Sequence, residues 1–272
     1  MELENIFKES KRQTIKHSTY FDAYTEALGK FKGKDIVFVE IGILGGGSLE
    51  AWKKYFGRNS RIIGIDINPE LKDALEKDGF EIFIGDQAEP GFWNDFFAKV
   101  GNVDVILDDG GHSYKQQIST FHYTIDHIND GGMLIVEDAH TSYFRSFGFP
   151  SRYSFIEFSK KLADKINLRF FNKSVKNEGI DYASRVFSVQ FFESIVVFHK
   201  NCALCKTPVP VSFGLKNESI RDKRSDFDEK QLNTLKKTGL HKIVPKALRI
   251  YAGDFLKSLP YRMENRRLKK YF

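Results

Sequence analysis

The sequence predicts an α/β fold, a doubly wound, mostly parallel sheet of seven strands with an antiparallel C-terminal hairpin and a basic helical C-terminal tail. Three observations predict it. Five short apolar runs occur before residue 140, a helix-like segment lies between each and the next, and two adjacent strand-like runs near residue 190 leave no room for a helix between them. The runs cover 35–40, 61–66, 80–85, 103–108 and 132–137, and their continuous β-branched character suits strands covered on both faces. Helical patterns fill 48–56, 69–78, 92–100 and 114–128, which implies right-handed crossovers between parallel strands. The runs 185–190 and 193–198 read as the hairpin.

Three segments follow from this pattern: an N-terminal helical cap over 1–30, the α/β domain over 31–200 and a basic extension over 201–272. With 272 residues, 41% of them hydrophobic and including 26 Phe and 11 Tyr, the chain can bury a sizeable core, which excludes disorder throughout. No apolar run of about 18 residues exists to span a bilayer. The first residues alternate charge with single apolar side chains and carry no secretory pattern, so a cytoplasmic location is expected. Cys202 and Cys205 are spaced C-x-x-C, but no second pair completes a zinc cage and no role is assigned to them. The net charge of +6 belongs to the tail, where residues 215–272 carry 16 Lys+Arg against 7 Asp+Glu. That tail, with short helices expected after residue 225 and around 244–259, is a candidate for peripheral contact with an anionic membrane, for packing on its own domain, or for a homo-oligomer contact.

The first strand runs into a glycine-rich turn, 39–48, that opens a helix. A dinucleotide fingerprint would place glycine where Glu40 stands, two residues before Gly42. A carboxylate there repels a pyrophosphate and attracts a cationic ligand, while the glycines allow close backbone approach and helix-start N–H groups can hold a carboxylate. S-adenosyl-L-methionine (SAM) combines an amino-acid head, a sulfonium, a ribose and an adenine without phosphate. Asp66, ending the second strand, is placed to accept from ribose hydroxyls, and Asp86, after the third, from the adenine amino group.

The fourth and fifth strands end in 107–112 and 136–143, which bring Asp109, Glu137 and Asp138 to one sheet edge. Three carboxylates that close repel one another unless a cation sits among them, and oxygen ligation favours Mg²⁺, with Mn²⁺ or Ca²⁺ as alternatives. His112 follows Asp109 across two glycines and is a candidate general base toward a metal-bound hydroxyl. His140 and Tyr143 are weaker candidates for the acceptor pocket, Asp108 reads first as a structural strand end, and His122 and His127 read as helix-face residues.

Glu40-Ile-Gly42 with Gly46-Gly47-Ser48, Gly85-Asp86-Gln87, Asp108-Asp109-Gly-Gly-His112 and Gly131-Gly132 through Glu137-Asp138-Ala-His140-Thr-Ser-Tyr143 together resemble class I SAM-dependent methyltransferases, and more narrowly the metal-dependent sugar O-methyltransferases of the macrocin and mycinamicin type. The resemblance covers roughly residues 13–200. It implies a Rossmann-like seven-stranded sheet, SAM as donor, Mg²⁺ at the matches Asp109, Glu137 and Asp138, and His112 as the base acting on a sugar hydroxyl. With Asp66 from the end of the second strand, its motifs make Glu40, Gly42, Gly46, Ser48, Asp86, Gln87 and Asp108 the cofactor-binding candidates. The segment from Lys16 through Tyr20 to Tyr24 is similar to the family's N-terminal stretch over cofactor and acceptor, and Gly111 stands where the family usually has Ser.

The expected function is Mg²⁺-assisted O-methylation of a sugar or glycosylated small molecule. Its rivals are an RNA methyltransferase that tracks phosphates with the tail, a non-catalytic binding protein of the same fold, and a hydroxylase.

Overall fold

The structure, a computed structural model, describes residues 2–170 and 182–206, together with 209, 211, 213 and 214. The chain divides into two units, Met1–Val209 and Pro210–Phe272. The first unit holds the sheet; the tail helices expected after residue 225 lie outside the described residues.

The strands are β1 (Val37–Ile41), β2 (Arg61–Asp66), β3 (Glu81–Ile84), β4 (Val103–Asp108), β5 (Ile128–Val136), β6 (Val186–Phe191) and β7 (Val196–Lys200), in the order β3-β2-β1-β4-β5-β7-β6. β1 to β5 are parallel; β7 inserts antiparallel between β5 and β6. The strand order reverses between β1 and β4, and in open α/β sheets the crevice outside that switch point, at the carboxyl ends, is where ligands bind.

Helices cover both faces. α1 (Glu2–Lys8), α2 (Tyr20–Leu28), α3 (Gly47–Tyr55) and α4 (Glu70–Glu76) pack on one, and α5 (Pro90–Val100), α6 (Tyr114–Thr124) and α7 (Phe155–Asn167) on the other. The strand period of two sorts the side chains. Phe38, Val105 and Leu107 enter the first core with Trp52 and Tyr24, whereas Val39 and Ile106 enter the second with Trp93, Phe121 and Phe155. Trp52 is fully buried among the rings of Phe7, Tyr24, Phe38 and Phe56.

Two regions differ most from the sequence expectation. The helix expected over 114–128 ends at Thr124; a 3-10 turn, Ile125–His127, follows, and Ile128 already pairs with Val103 as the start of β5. The register shift after Val103 and the left-handed Gly131 absorb the extra residues of a strand that the glycine pair had hidden. The second hairpin strand starts at Val196 rather than near 193, because Ser194 adopts a left-handed conformation and Phe192 N–H closes the turn on the Ile195 carbonyl. Among the described residues no helix is long and apolar enough to cross a membrane. Cys202 and Cys205 flank a surface 3-10 turn and belong to no group of potential metal ligands among the described residues.

Candidate active site

A groove runs along the carboxyl edge of the sheet. Its first half is lined by Gly42, Asp66, Ile67, Asp86, Gln87 and Gly111, its second by Thr14, Ser48, Asn68, Leu71, Asp109 and Asp138. Gly42 and Asp66 line both halves. Gly42 has φ +80°, and a Cβ there would lie 2.1 Å from the Asp109 carbonyl oxygen, so β1 and β4 leave the sheet in direct backbone contact only because this residue has no side chain.

The Asp66 carboxylate accepts from Ile43 N–H at 3.0 Å with one oxygen and from Asn68 N–H at 2.9 Å with the other. Asp86 accepts from Ala88 N–H. These bonds fix each acid within the turn after its own strand or the next strand over, and a carboxylate retains further lone pairs for a ligand. Gln87 is held at both ends of its amide. Its Nε2 donates to Asp108 and to Thr120, and its Oε1 accepts from Gly111 N–H. Asp108, buried and outside the groove lining, thus ties the β3 exit to the β4 exit, and burial pushes its carboxyl up to about 6. Gly46 also lies outside the lining; its left-handed turn lets α3 start against Leu75. The N–H groups of Gly46 and Gly47 donate to the carbonyls of Ile43 and Gln13, so the loop offers room rather than those two donors.

At the far end of the groove Asp109, His112 and Asp138 converge. His112 Nε2 lies 3.2 Å from Asp138 Oδ2, and His112 is held at the mouth of α6 by a capping box between Ser113 and Gln116. Asp138 has φ +53°, costly for a residue with a side chain. Among the described residues the non-glycine residues with positive φ are Leu44, Asp138, Phe149 and Ser194. Leu44 lines the groove, and Ser194 meets Asp138 through Tyr20, whose hydroxyl bonds both. Tyr114 OH in turn donates to the Phe149 carbonyl, two residues beyond His112.

Glu137 stands behind this group. It is buried, accepts from Tyr24 OH and is 2.9 Å from Lys16 Nζ. The Lys16 ammonium also lies 2.7 Å from Asp109 Oδ2 and 3.4 Å from Glu40 Oε1, with its side chain 3% exposed. Burial opposes that charge, but Glu137, Glu40 and Asp109 hold its pKa well above the ordinary lysine value. The cation that Glu40 meets is therefore the chain's own, and its other oxygen accepts from Ser48 Oγ at 2.6 Å. Residue-type reasoning on strand ends had no signal for Lys16, Tyr20, Tyr24 or Ser194; only the resemblance singled out the segment that carries the first three.

The donor set suits a divalent cation. Ligand atoms of Asp109, His112 and Asp138 all lie within 4.8 Å of one another. Mg²⁺ typically takes one or two carboxylates and completes its shell with water and substrate oxygens. A second group, His17, Asp138 and His140, shares Asp138.

No protein-family model matches the chain. The 8-demethyl-8-alpha-L-rhamnosyl tetracenomycin-C 2'-O-methyltransferase of Streptomyces olivaceus is 32% identical over 136 residues, 47% of this chain and 35% of the relative. The demethylmacrocin O-methyltransferase of Streptomyces fradiae is 33% identical over 132 residues, 46% of this chain and 33% of the relative. The match thus spans about a third of the length of these relatives. The solved structure of the MycE methyltransferase from the mycinamycin biosynthetic pathway, in complex with Mg and SAH, superposes with a TM-score of 0.66 at 22% identity over 78% of this chain and 57% of that one. The chain therefore has the Rossmann-like methyltransferase fold and is similar in sequence, across nearly half its length, to sugar O-methyltransferases.

Proposed function

We propose that the chain is a Mg²⁺-assisted, SAM-dependent O-methyltransferase acting on a hydroxyl of a sugar or glycosylated small molecule. The observation that carries this reading is the adjacency of two pockets that share Gly42 and Asp66, one lined by Asp86 and the other by Asp109 and Asp138. When bound, SAM supplies an electrophilic methyl group and Mg²⁺ makes a ligated hydroxyl easier to deprotonate. Asp66 receives ribose hydroxyls, the exposed Ile67 gives the adenine an apolar face, and Asp109 and Asp138 hold the cation. His112 takes the hydroxyl proton, and the Asp138 carboxylate, 3.2 Å from Nε2, stabilises the charge of the resulting imidazolium.

The loop 139–153 suits a sugar-bearing acceptor. It contains no Asp or Glu, and it exposes Tyr143, Phe144, Phe149 and Tyr153 beside the site. Thr141 Oγ1 donates to the His112 carbonyl and the Phe147 ring lies 6.4 Å from the His112 ring, so the loop runs beside the base. A small-molecule acceptor rather than nucleic acid, and a cytoplasmic place of action, belong to the same reading. The fold similarity to a methyltransferase and the presence of the His112, Asp109 and Asp138 set favour an enzyme over a non-catalytic binder.

Titration calorimetry with S-adenosylhomocysteine, with and without Mg²⁺ and with NAD⁺ as control, tests the donor: binding of the first and none of NAD⁺ is expected. With an acceptor in hand, His112→Ala should lower methyl transfer by about 10²–10⁴-fold. Full transfer by His112→Ala and Asp109→Ala would make the site assignment wrong.

A further inference from the structure

We propose that Lys16 is the built-in counter-cation of the carboxylate cluster, holding Asp109 and Glu137 together before a divalent ion arrives and limiting how tightly that ion binds. The inference rests on the reading that Asp109 and Asp138 take a divalent cation. Glu40, Asp109 and Glu137 come from the ends or exits of β1, β4 and β5, and all three face one ammonium at 3.4, 2.7 and 2.9 Å. Glu40 and Glu137 are fully buried, so water cannot screen their mutual repulsion. Lys16 supplies the neutralising charge at that point.

Its placement is built into the chain. The segment between α1 and α2 is laid along the start of α3 by Ser10 Oγ donating to the Gly47 carbonyl, by Lys11 N–H donating to Glu50, and by Gly47 N–H donating to the Gln13 carbonyl. Arg12 pairs with Asp78 beyond α4. The strap therefore delivers Lys16 to the cluster from a segment held against α3 and the end of α4.

Asp109 belongs to two sets at once. One of its oxygens contacts Lys16, and it also lies in the group with His112 and Asp138. An ion on Asp109 and Asp138 shares a carboxylate with a fixed positive charge, which weakens its binding. Glu137, held by Lys16 and by Tyr24 OH, stays out of that group. Lys16 thereby sets the ion's ligands as well as its affinity.

Calorimetric titration of the full chain with Mg²⁺ alone, without cofactor or acceptor, tests this on the wild type, Lys16→Met, Lys16→Gln and Lys16→Arg, with circular dichroism to follow folding. Removing the charge in Lys16→Met or Lys16→Gln should tighten Mg²⁺ binding by about tenfold or more, and Lys16→Arg should stay near the wild type. A variant that unfolds without metal should fold as Mg²⁺ is added, since the ion then supplies positive charge beside Asp109. Unchanged or weaker affinity in the neutral variants beside a wild type that binds, or neutral variants unfolded at saturating Mg²⁺, overturns the role of Lys16. Absence of Mg²⁺ binding in folded wild type and folded variants alike overturns the metal reading instead.

Discussion

The two ends of the groove are built by different means. At the Asp66 end, Asp66 and Asp86 are held by backbone N–H groups of Ile43, Asn68 and Ala88, from their own turns or the adjacent strand exit. At the acid end, Asp109, Glu137 and Asp138 are held by Lys16, Tyr20 and Tyr24, which come from a segment some ninety or more residues earlier. Strand geometry alone forms the first end. The second exists only when the N-terminal strap is docked, and its acids need side-chain partners because Glu137 is too buried for water to serve.

Gly42→Ala should break the contrast most severely, because Gly42 lines both halves. Its left-handed φ and the 2.1 Å approach to the Asp109 carbonyl predict a loss of about 3 kcal/mol in denaturant unfolding, together with weakened binding of both S-adenosylhomocysteine and Mg²⁺. A variant of wild-type stability would mean that the β1 and β4 exits can move apart.

The contrast sharpens if the ends respond separately. Asp66→Ala should lose about 1.5–3 kcal/mol of S-adenosylhomocysteine affinity and keep Mg²⁺ binding, whereas Asp138→Ala should lose the Mg²⁺ heat and keep the other ligand. Equal loss of both ligands in either variant would show one coupled site rather than two ends. Gln87→Leu lies between these cases. It removes an amide that joins Asp108, Thr120 and Gly111, so stability should fall by about 1–3 kcal/mol from the buried Asp108 left short of a partner, with cofactor affinity following and Mg²⁺ affinity less affected.

The smallest effect lies away from both ends, on β7. Burial, aided by Lys30, pushes the His199 imidazole below its ordinary value. The unfolded chain therefore takes up this proton at higher pH than the folded one. The contribution is fully present above about pH 6.5 and is lost as pH falls through the lower folded value. His199→Gln should flatten that part of the stability–pH curve by less than about 1 kcal/mol, and a steeper curve in the variant would contradict the assignment.

The sequence by itself determined the sheet and the acids at its carboxyl edge. Five β-branched runs with helices between them allow only a covered parallel sheet, and acids at successive strand ends must then appear along one edge, as Asp66, Asp86 and Asp109 do. A period of two or 3.6 is a local property, and so it can be read from neighbouring residues. The start of β5 escaped that reading because Asn129 to Gly132 interrupt the apolar pattern, although Ile128 before them already pairs with Val103. Only the tertiary structure decided which cation meets Glu40, that Lys16 bridges Asp109 and Glu137, and that Ser194 in the hairpin turn reaches Tyr20. Those contacts join residues separated by 24 to 174 positions, and no local period encodes a meeting that forms only after helices, strap and sheet have packed.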